Sequence, residues 1–170
     1  MYAREEELVV TEDEEAKLSR LESLIGVKFN SRDLLKQALT HSSFVNGCNG
    51  TNRQDNERLE WIGDSVIEGI VSDYLFASYP HATPGAMTEM RDNLVSNVIL
   101  GQIATEMQLG SFLWIGRGTK ANAKIMGNAL EALIGAIDLD QGRAVAKVFL
   151  MGRLFSRLSL RHKHNNIVHL

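Results

Sequence analysis

Three carboxylates recur at helical spacing inside an otherwise apolar segment, residues 56–65. Glu60 and Asp64 are four residues apart and Glu57 lies three before Glu60, so a helix would place all three on one face. Apolar residues fall on the opposite side, where a core would take them: Leu59, Ile62, Val66, Ile67, Ile70, Val71 and Tyr74. The segment therefore predicts an amphipathic helix with an acidic face.

This acidic face admits two interpretations. Like charges one turn apart repel each other, and partly buried carboxylates are costly, so a cation or a basic partner commonly offsets such a cluster. Ligation by oxygen alone would suit Mg²⁺ or Mn²⁺. Alternatively, Glu57 and Glu60 form an ordinary solvated face beside Arg58. Spacing alone does not separate a metal site from a solvated face.

A second segment, residues 124–137, carries another polar strip on an apolar helix. Lys124, Asn128 and Glu131 lie at positions i, i+4 and i+7, which share one helical face. Small residues around them would let a second helix approach closely: Gly127, Ala129, Ala132, Gly135 and Ala136. Two helices with facing polar strips could build one site.

Together, these motifs resemble those of the ribonuclease III family, Mg²⁺-dependent endonucleases that cut double-stranded RNA. Residues 57–65 match the family's acid-Arg-Leu-Glu-aromatic-aliphatic-Gly-Asp-Ser signature, and residues 124–136 match its second signature at all but one position. Shorter matches occur at residues 39–43 and 94–97. Since several motifs occur in the family's order, the resemblance covers about residues 16–155.

The resemblance implies an all-α ribonuclease III endonuclease domain that forms a homodimer. We expect this domain over residues 16–160, after an acidic and mobile N-terminal segment over 1–15 and before a basic tail over 161–170. The first helix is predicted to end near Gly26, and residues 41–56 are predicted to form a loop. No alternating strand pattern is present in the sequence.

Four residues are the implied catalytic and metal-binding set. By resemblance, Glu60, Asp64, Glu131 and the residue at position 128 would hold Mg²⁺, with Mn²⁺ as a substitute, directly or through water. The implied reaction is hydrolysis of double-stranded RNA to products with 5′ phosphates. In active family members position 128 is Asp, whereas this chain has Asn128.

Asn128 keeps the size and one carbonyl oxygen of Asp but lacks its charge, so Mg²⁺ binding should be weaker and activity reduced or lost. Two explanations remain open: a natural member with weakened activity, or a deliberate exchange of Asp for Asn that traps a complex without cleavage. The alternative function is a catalytically inactive, dimeric RNA-binding or ribosomal scaffold.

Other residues near the two signatures have implied supporting roles. Glu57 is expected to contact the RNA backbone or the second subunit, while Lys124 and Asn97 would steady the carboxylates or contact a phosphate. Trp61 occupies the position of a family aromatic residue that inserts into a pocket on a second subunit. Duplex RNA would be recognised by its shape and backbone, with little sequence specificity.

Composition agrees with a compact, intracellular domain. The 170 residues are 44% hydrophobic and 23% charged, an ordinary globular balance. No apolar stretch suits a membrane span, no secretion signal opens the chain, and the single Cys48 suits an intracellular setting.

The net charge of −3 hides a basic C-terminal region, in which Arg153, Arg157 and Arg161 would form one helical stripe. Many relatives carry an RNA-binding domain after the nuclease domain, and none is visible here, so we expect weak, salt-dependent RNA binding.

Overall fold

The fold was analysed in a computed structural model that describes the backbone of residues 5–47 and 54–165, and the side chains of residues 14–47 and 54–155. These residues form helices and no strand; an isolated parallel bridge joins Thr40 and Trp114. The predicted all-α class is therefore confirmed for the described part of the chain. The helices follow in this order: α1 Glu5–Ile25, α2 Arg32–Ala38, α3 Ser42–Gly47, α4 Glu57–Ser78, α5 Pro84–Val95, α6 Asn97–Glu106, the 3₁₀ helix Leu109–Phe112, α7 Ala123–Gln141 and α8 Arg143–Asn165.

Helix α7 is the centre of the core, with α4, α6 and α8 packed around it. Its middle is buried without interruption from Ala129 to Ile137. The apolar side that sequence periodicity assigned to α4 is buried as expected at Leu59, Val66, Ile67, Ile70 and Val71. Ile62 and Tyr74 are partly buried and pack against the same core. Burial of these apolar faces supplies the main driving force for the fold.

Glycines set the distance between α4 and α7. A Cβ atom at Gly63 would lie 1.9 Å from the carbonyl oxygen of Glu131, and one at Gly135 would lie 2.4 Å from that of Leu59. Neither contact is sterically possible, so only glycine lets the two backbones cross so closely. The predicted close approach of a second helix to the small residues of α7 is confirmed.

A similar contact joins α6 to the start of α7. A Cβ atom at Gly101 would lie 2.5 Å from the carbonyl oxygen of Ala123, and one at Gly127 would lie 3.3 Å from that of Asn97. This packing places the first residue of α6 beside the polar strip of α7. Asn97 thereby reaches the same region as the acidic face of α4.

Two carboxylates hold the turn between α1 and α2. Glu22 is 2% exposed, accepts the backbone N–H of Phe29 at 2.8 Å, and pairs with Lys28 at 3.0 Å and Arg32 at 3.1 Å. Burial alone would raise the pKa of Glu22, but these partners together hold the pKa below 4.5. Asp140, near the end of α7, accepts the backbone N–H groups of Asn30 and Ser31 at 2.8 and 2.9 Å.

Both ends of the described chain are helical, and the predicted domain bounds stay predictions. Helix α1 begins at Glu5, within the segment predicted to be mobile. Glutamate is a good helix former and is favoured near a helix N-terminus, so acidic composition does not oppose helix formation there. Helix α8 likewise runs to Asn165, past the expected domain end at residue 160. The side chains of Arg157 and Arg161 lie outside the described residues, so the basic stripe stays a prediction.

The predicted loop over residues 41–56 is wrong in its first part, because Ser42–Gly47 is helical. The Nδ1 atom of His41 accepts the backbone N–H of Ser43 at 3.1 Å, which satisfies a donor at the helix start. The backbone of His41 also donates to the carbonyl of Trp114 at 2.9 Å. Residues 48–53, including Cys48, lie outside the described part. Among the described helices, none has the length and apolar character needed to cross a membrane.

Candidate active-site cleft

An open cleft of about 570 Å³ lies between α4, the start of α6 and α7. We call it the acidic cleft. All eight residues that the sequence analysis proposed for catalysis, metal or RNA binding and the subunit interface line it: Glu57, Glu60, Trp61, Asp64, Asn97, Lys124, Asn128 and Glu131. The fold thus brings together side chains that are as much as 74 residues apart, the separation of Glu57 and Glu131.

Helix α4 forms one wall of the acidic cleft and carries three carboxylates that differ in solvent exposure. Glu57 and Asp64 are exposed, whereas Glu60 is half-buried. The start of this helix is fixed by two polar residues: Asp55 accepts the backbone N–H of Glu57 at 3.2 Å, and buried Asn56 donates to the carbonyl of Ala38 at 3.3 Å. The hydrogen bond from Asn56 to Ala38 therefore joins the start of α4 to α2 and helps to orient the acidic face.

The α7 wall begins at a capped helix terminus. Asn122 accepts the backbone N–H of Ile125 at 2.9 Å, as expected for an N-cap. Lys124, Asn128 and Glu131 then follow on one face, with Lys124 exposed, Asn128 half-buried and Glu131 only 7% exposed. Glu131 is buried because its own backbone carbonyl lies at the α4–α7 crossing beside Gly63.

A direct hydrogen bond joins the two walls. The Nδ2 atom of Asn128 donates to Oε1 of Glu60 at 2.8 Å. An ionised carboxylate can only accept, so the amide must turn its nitrogen toward Glu60. An Asp at position 128 has no such donor when ionised. Asn128, where the resemblance implies an Asp, is therefore the residue that bridges the cleft.

The cleft has more negative charge than its surroundings offset. Burial, followed by repulsion from Asp64 and Glu60, raises the pKa of Glu131 to about 7. Burial also raises the pKa of Glu60, an effect opposed by the hydrogen bond from Asn128 and reinforced by the charge of Glu57. The positive charge of Lys124 acts against this rise as well. A proton, a hydrogen-bond donor or a cation would stabilise carboxylates crowded in this way.

Among the described residues, His41 contributes to the electrostatics of the cleft although the sequence predictions did not place it there. Its positive form opposes the rise in the pKa of Glu60. The signature spacing could not locate it, because its position depends on the long-range bridge between Thr40 and Trp114. Only the folded arrangement brings His41 toward the acidic face of α4.

The donor chemistry of the cleft fits a divalent cation. Glu60, Asp64 and Glu131 offer carboxylate oxygens and Asn128 a carbonyl oxygen, which are the ligands of hard cations such as Mg²⁺ or Mn²⁺. A cation would also relieve the repulsion that raises the pKa of Glu131. Within the described residues, however, no three His, Cys, Asp or Glu side chains already form a cluster able to hold a metal ion.

Sequence comparison places the chain among known nucleases. The model of the Ribonuclease-III-like family matches residues 31–158. Ribonuclease 3 of Borreliella afzelii is 39% identical over 145 residues, which are 82% of this chain and 59% of that protein. Ribonuclease 3 of Geobacillus thermodenitrificans is 36% identical over 154 residues, 88% of this chain and 63% of that protein. The chain thus spans about three fifths of the length of these relatives.

Solved structures of ribonuclease III nuclease domains have the same fold as this chain. A crystal structure of the nuclease domain of ribonuclease III from Campylobacter jejuni superposes with a TM-score of 0.73 at 33% identity, covering 82% of this chain and 94% of that chain. A second structure of that domain, described for flexibility in a region involved in dimer formation, gives a TM-score of 0.72 at 34% identity, with 79% and 93% covered. The chain belongs to the ribonuclease III family and has the fold of its nuclease domain.

Proposed function

We propose that this chain is an endoribonuclease domain that hydrolyses double-stranded RNA with Mg²⁺, leaving 5′ phosphates, and that Asn128 reduces or abolishes this activity. The observation that carries the proposal is the acidic cleft, where the two signature faces meet in one open groove. Family membership supports the same chemistry.

In this proposal Glu60, Asp64, Asn128 and Glu131 would hold the cation. When bound, Mg²⁺ supplies an activated water and stabilises charge that develops on the phosphate oxygens. Exposed Lys124 provides a positive charge at the rim that suits a phosphate.

Residues without the central role would position the substrate and the carboxylates. Exposed Asn97 lies at the start of α6, where its amide can reach a backbone oxygen of RNA. Glu57 lies at the outer edge of α4, closer to the rim than Glu60, and would contact RNA or a second subunit. Both residues can be exchanged without removing a predicted cation ligand, so their variants should lower activity less than variants of Glu131.

The dimer is also part of the proposal. Trp61 is 74% exposed, and it borders both the acidic cleft and a second depression lined by Leu34, Leu59, Ile62 and Leu139 among others. A large aromatic side chain beside an apolar depression suits a self-complementary interface across a two-fold axis. Two copies related in this way would combine two acidic clefts along one RNA duplex.

Binding of RNA should be weak and strongly dependent on salt. The described cleft presents few cations beside several carboxylates, so its attraction for phosphate depends on neutralisation by Mg²⁺ and on residues outside the cleft. Recognition by backbone and shape predicts little preference for sequence.

A catalytically inactive, dimeric RNA-binding scaffold is the second candidate. The observation that favours it is the bond between Asn128 and Glu60, which occupies one carboxylate oxygen of the cleft. Retention of Glu60, Asp64 and Glu131 opposes it, because a scaffold gains nothing from a groove in which carboxylates are crowded together.

Cleavage of a long RNA duplex in Mg²⁺ by this chain and by Asn128→Asp tests the proposal. We expect the Asp variant to give short products with 5′ phosphates, to lose this activity in EDTA, and to lose it when Glu131→Gln is added. Asn122→Asp is the matched control, since it makes the same chemical change at an exposed N-cap outside the cleft. Lack of cleavage by both chains, with dimerisation intact, would favour the scaffold.

A further inference from the structure

We propose that Asn128 is a positioning residue that takes over, in the cation-free protein, the charge-offsetting role of a metal ion at Glu60. It thereby stabilises the cation-free domain at the expense of cation binding. The first half of this inference depends only on the cleft's geometry, while the second half rests on the proposed function.

The geometry of the bond supports the first half. The 2.8 Å contact between Nδ2 of Asn128 and Oε1 of Glu60 joins α7 to α4, two helices held at a fixed distance by Gly63 and Gly135. Both partners are half-buried, so the bond to a charged acceptor is shielded from competing water. The two helices cannot move apart to reduce the charge density without breaking the glycine crossing.

Replacement of Asn128 by Asp would change two things at once. The donor to Glu60 would disappear, and a further carboxylate would lie within hydrogen-bond distance of the existing one. Glu60 already shares the cleft with the carboxylates of Asp64 and Glu131. Without a cation, the Asp form should therefore be less stable than the parent chain with Asn128.

The direction of the amide supports the second half. Because Nδ2 faces Glu60, a cation that binds this Oε1 atom must displace the amide or share the oxygen with it. Cation binding therefore breaks a favourable hydrogen bond in the Asn form. In an Asp form it would instead relieve the repulsion between the carboxylates at positions 60 and 128. Cation binding should stabilise the Asp form more strongly than the Asn form.

Thermal unfolding of both forms, first in EDTA and then across a MgCl₂ series, tests the inference. In EDTA we expect the Tm of Asn128→Asp to lie about 3–8 °C below that of the parent chain. With saturating Mg²⁺ the Asp form should recover most of this difference, while the parent Tm rises by less than half as much. Circular dichroism follows the transition without any RNA.

Two further variants separate hydrogen bonding from charge. Asn128→Ala removes the donor without adding a carboxylate, so its Tm should fall in EDTA by less than that of Asn128→Asp. Mg²⁺ should raise the Tm of the Ala variant at least as much as that of the parent chain, because no amide then competes for Oε1 of Glu60. Asn122→Asp adds the same charge at the exposed cap of α7, where Asp can also accept the N–H of Ile125, and its Tm should stay unchanged or rise slightly.

The inference is overturned if Asn128→Asp and Asn128→Ala are as stable as the parent chain in EDTA, or if Mg²⁺ raises the parent Tm as much as that of the Asp form. RNA cleavage plays no part in this measurement. Absence of cleavage by Asn128→Asp would therefore overturn the proposed function only, and unchanged Tm values would overturn this inference only.

Discussion

Replacement of Glu131 by Gln should stabilise the cation-free protein at alkaline pH. Glu131 is 7% exposed, and burial followed by repulsion from Asp64 and Glu60 raises its pKa from 4.5 to about 7. Within the described part of the chain, no basic side chain or hydrogen bond contributes to lowering this pKa. Ionisation of Glu131 therefore destabilises the folded protein. A neutral amide of nearly the same shape avoids this loss of stability.

The difference between the folded and unfolded pKa values sets the magnitude. With a folded pKa of about 7 and an unfolded value of 4.5, ionisation costs up to about 3 kcal/mol of folding stability at pH 8. Because the folded pKa is raised, the cost is full above pH 7 and declines as the pH falls from 7 toward 4.5. For a domain of this size, we expect Glu131→Gln to raise the Tm by about 5–10 °C at pH 8.

Urea unfolding of parent and Glu131→Gln chains in EDTA at pH 8, 6.5 and 4.5 measures this effect. The advantage of the variant should be largest at pH 8 and nearly absent at pH 4.5. Addition of Mg²⁺ at pH 8 should reduce it, since a cation favours the carboxylate. A variant that is less stable than the parent at pH 8, or an advantage that does not change with pH, would refute the assignment of a repulsive acidic cleft.

Three other substitutions test the fold and the interface. Glu22→Gln should lower the free energy of unfolding by about 2 kcal/mol in urea at pH 7. Because the pKa of Glu22 in the folded protein is below 4.5, this difference should be complete above pH 4.5 and should disappear as the pH falls through the folded pKa. Gly63→Ala should cost more than about 3 kcal/mol or prevent folding because its Cβ would lie 1.9 Å from a carbonyl oxygen, whereas Gly152→Ala, with open space around it, should be neutral or stabilising. Trp61→Ala should convert the proposed dimer to a monomer in sedimentation, because this side chain is 74% exposed on the single chain and lies at the proposed interface. Any fall in Tm should reflect only the lost dimer and should therefore depend on protein concentration. An unchanged sedimentation coefficient would reject the proposed interface.

Local signals in the sequence were sufficient for most helices. Ser31 accepts the N–H of Leu34 at 3.2 Å and Thr83 accepts that of Ala86 at 3.3 Å, so both N-caps are of the residue types that short-range hydrogen bonding favours. Pro84 follows Thr83 at the first turn of α5, as its fixed φ favours. Such features depend on a few neighbouring residues and therefore need no knowledge of the fold.

The missed helix α3 shows where this reasoning stops. Its composition, Ser-Ser-Phe-Val-Asn-Gly, gives little helical signal. Its start is held by the side chain of His41 and by a backbone bond from His41 to Trp114, which is 73 residues away. A contact over that distance in sequence is not encoded in local propensity, so the loop prediction was reasonable locally and wrong in the fold.

Helical periodicity and small residues predicted two polar faces that could meet, but they did not fix the geometry of that meeting. Helical periodicity is enough to group Glu60 with Asp64, and Asn128 with Glu131. Their distance across the cleft depends on the crossing at Gly63 and Gly135, and the sequence indicates only that small residues permit such a crossing. The bond between Asn128 and Glu60 required coordinates, because it depends on the exact rotation of both helices.

This fixed crossing explains why the chemistry at position 128 matters so much. Glycine backbones hold the acidic faces of α4 and α7 together, so separation of the helices cannot relieve the repulsion among Glu60, Asp64 and Glu131. Relief must then come from a proton, a hydrogen-bond donor or a cation. Glu131 takes the first route as its pKa rises to about 7, and Asn128 supplies the second at Glu60. A chain with Asp at this position has only the proton and the cation left, so its stability and its chemistry should become dependent on the same metal ion.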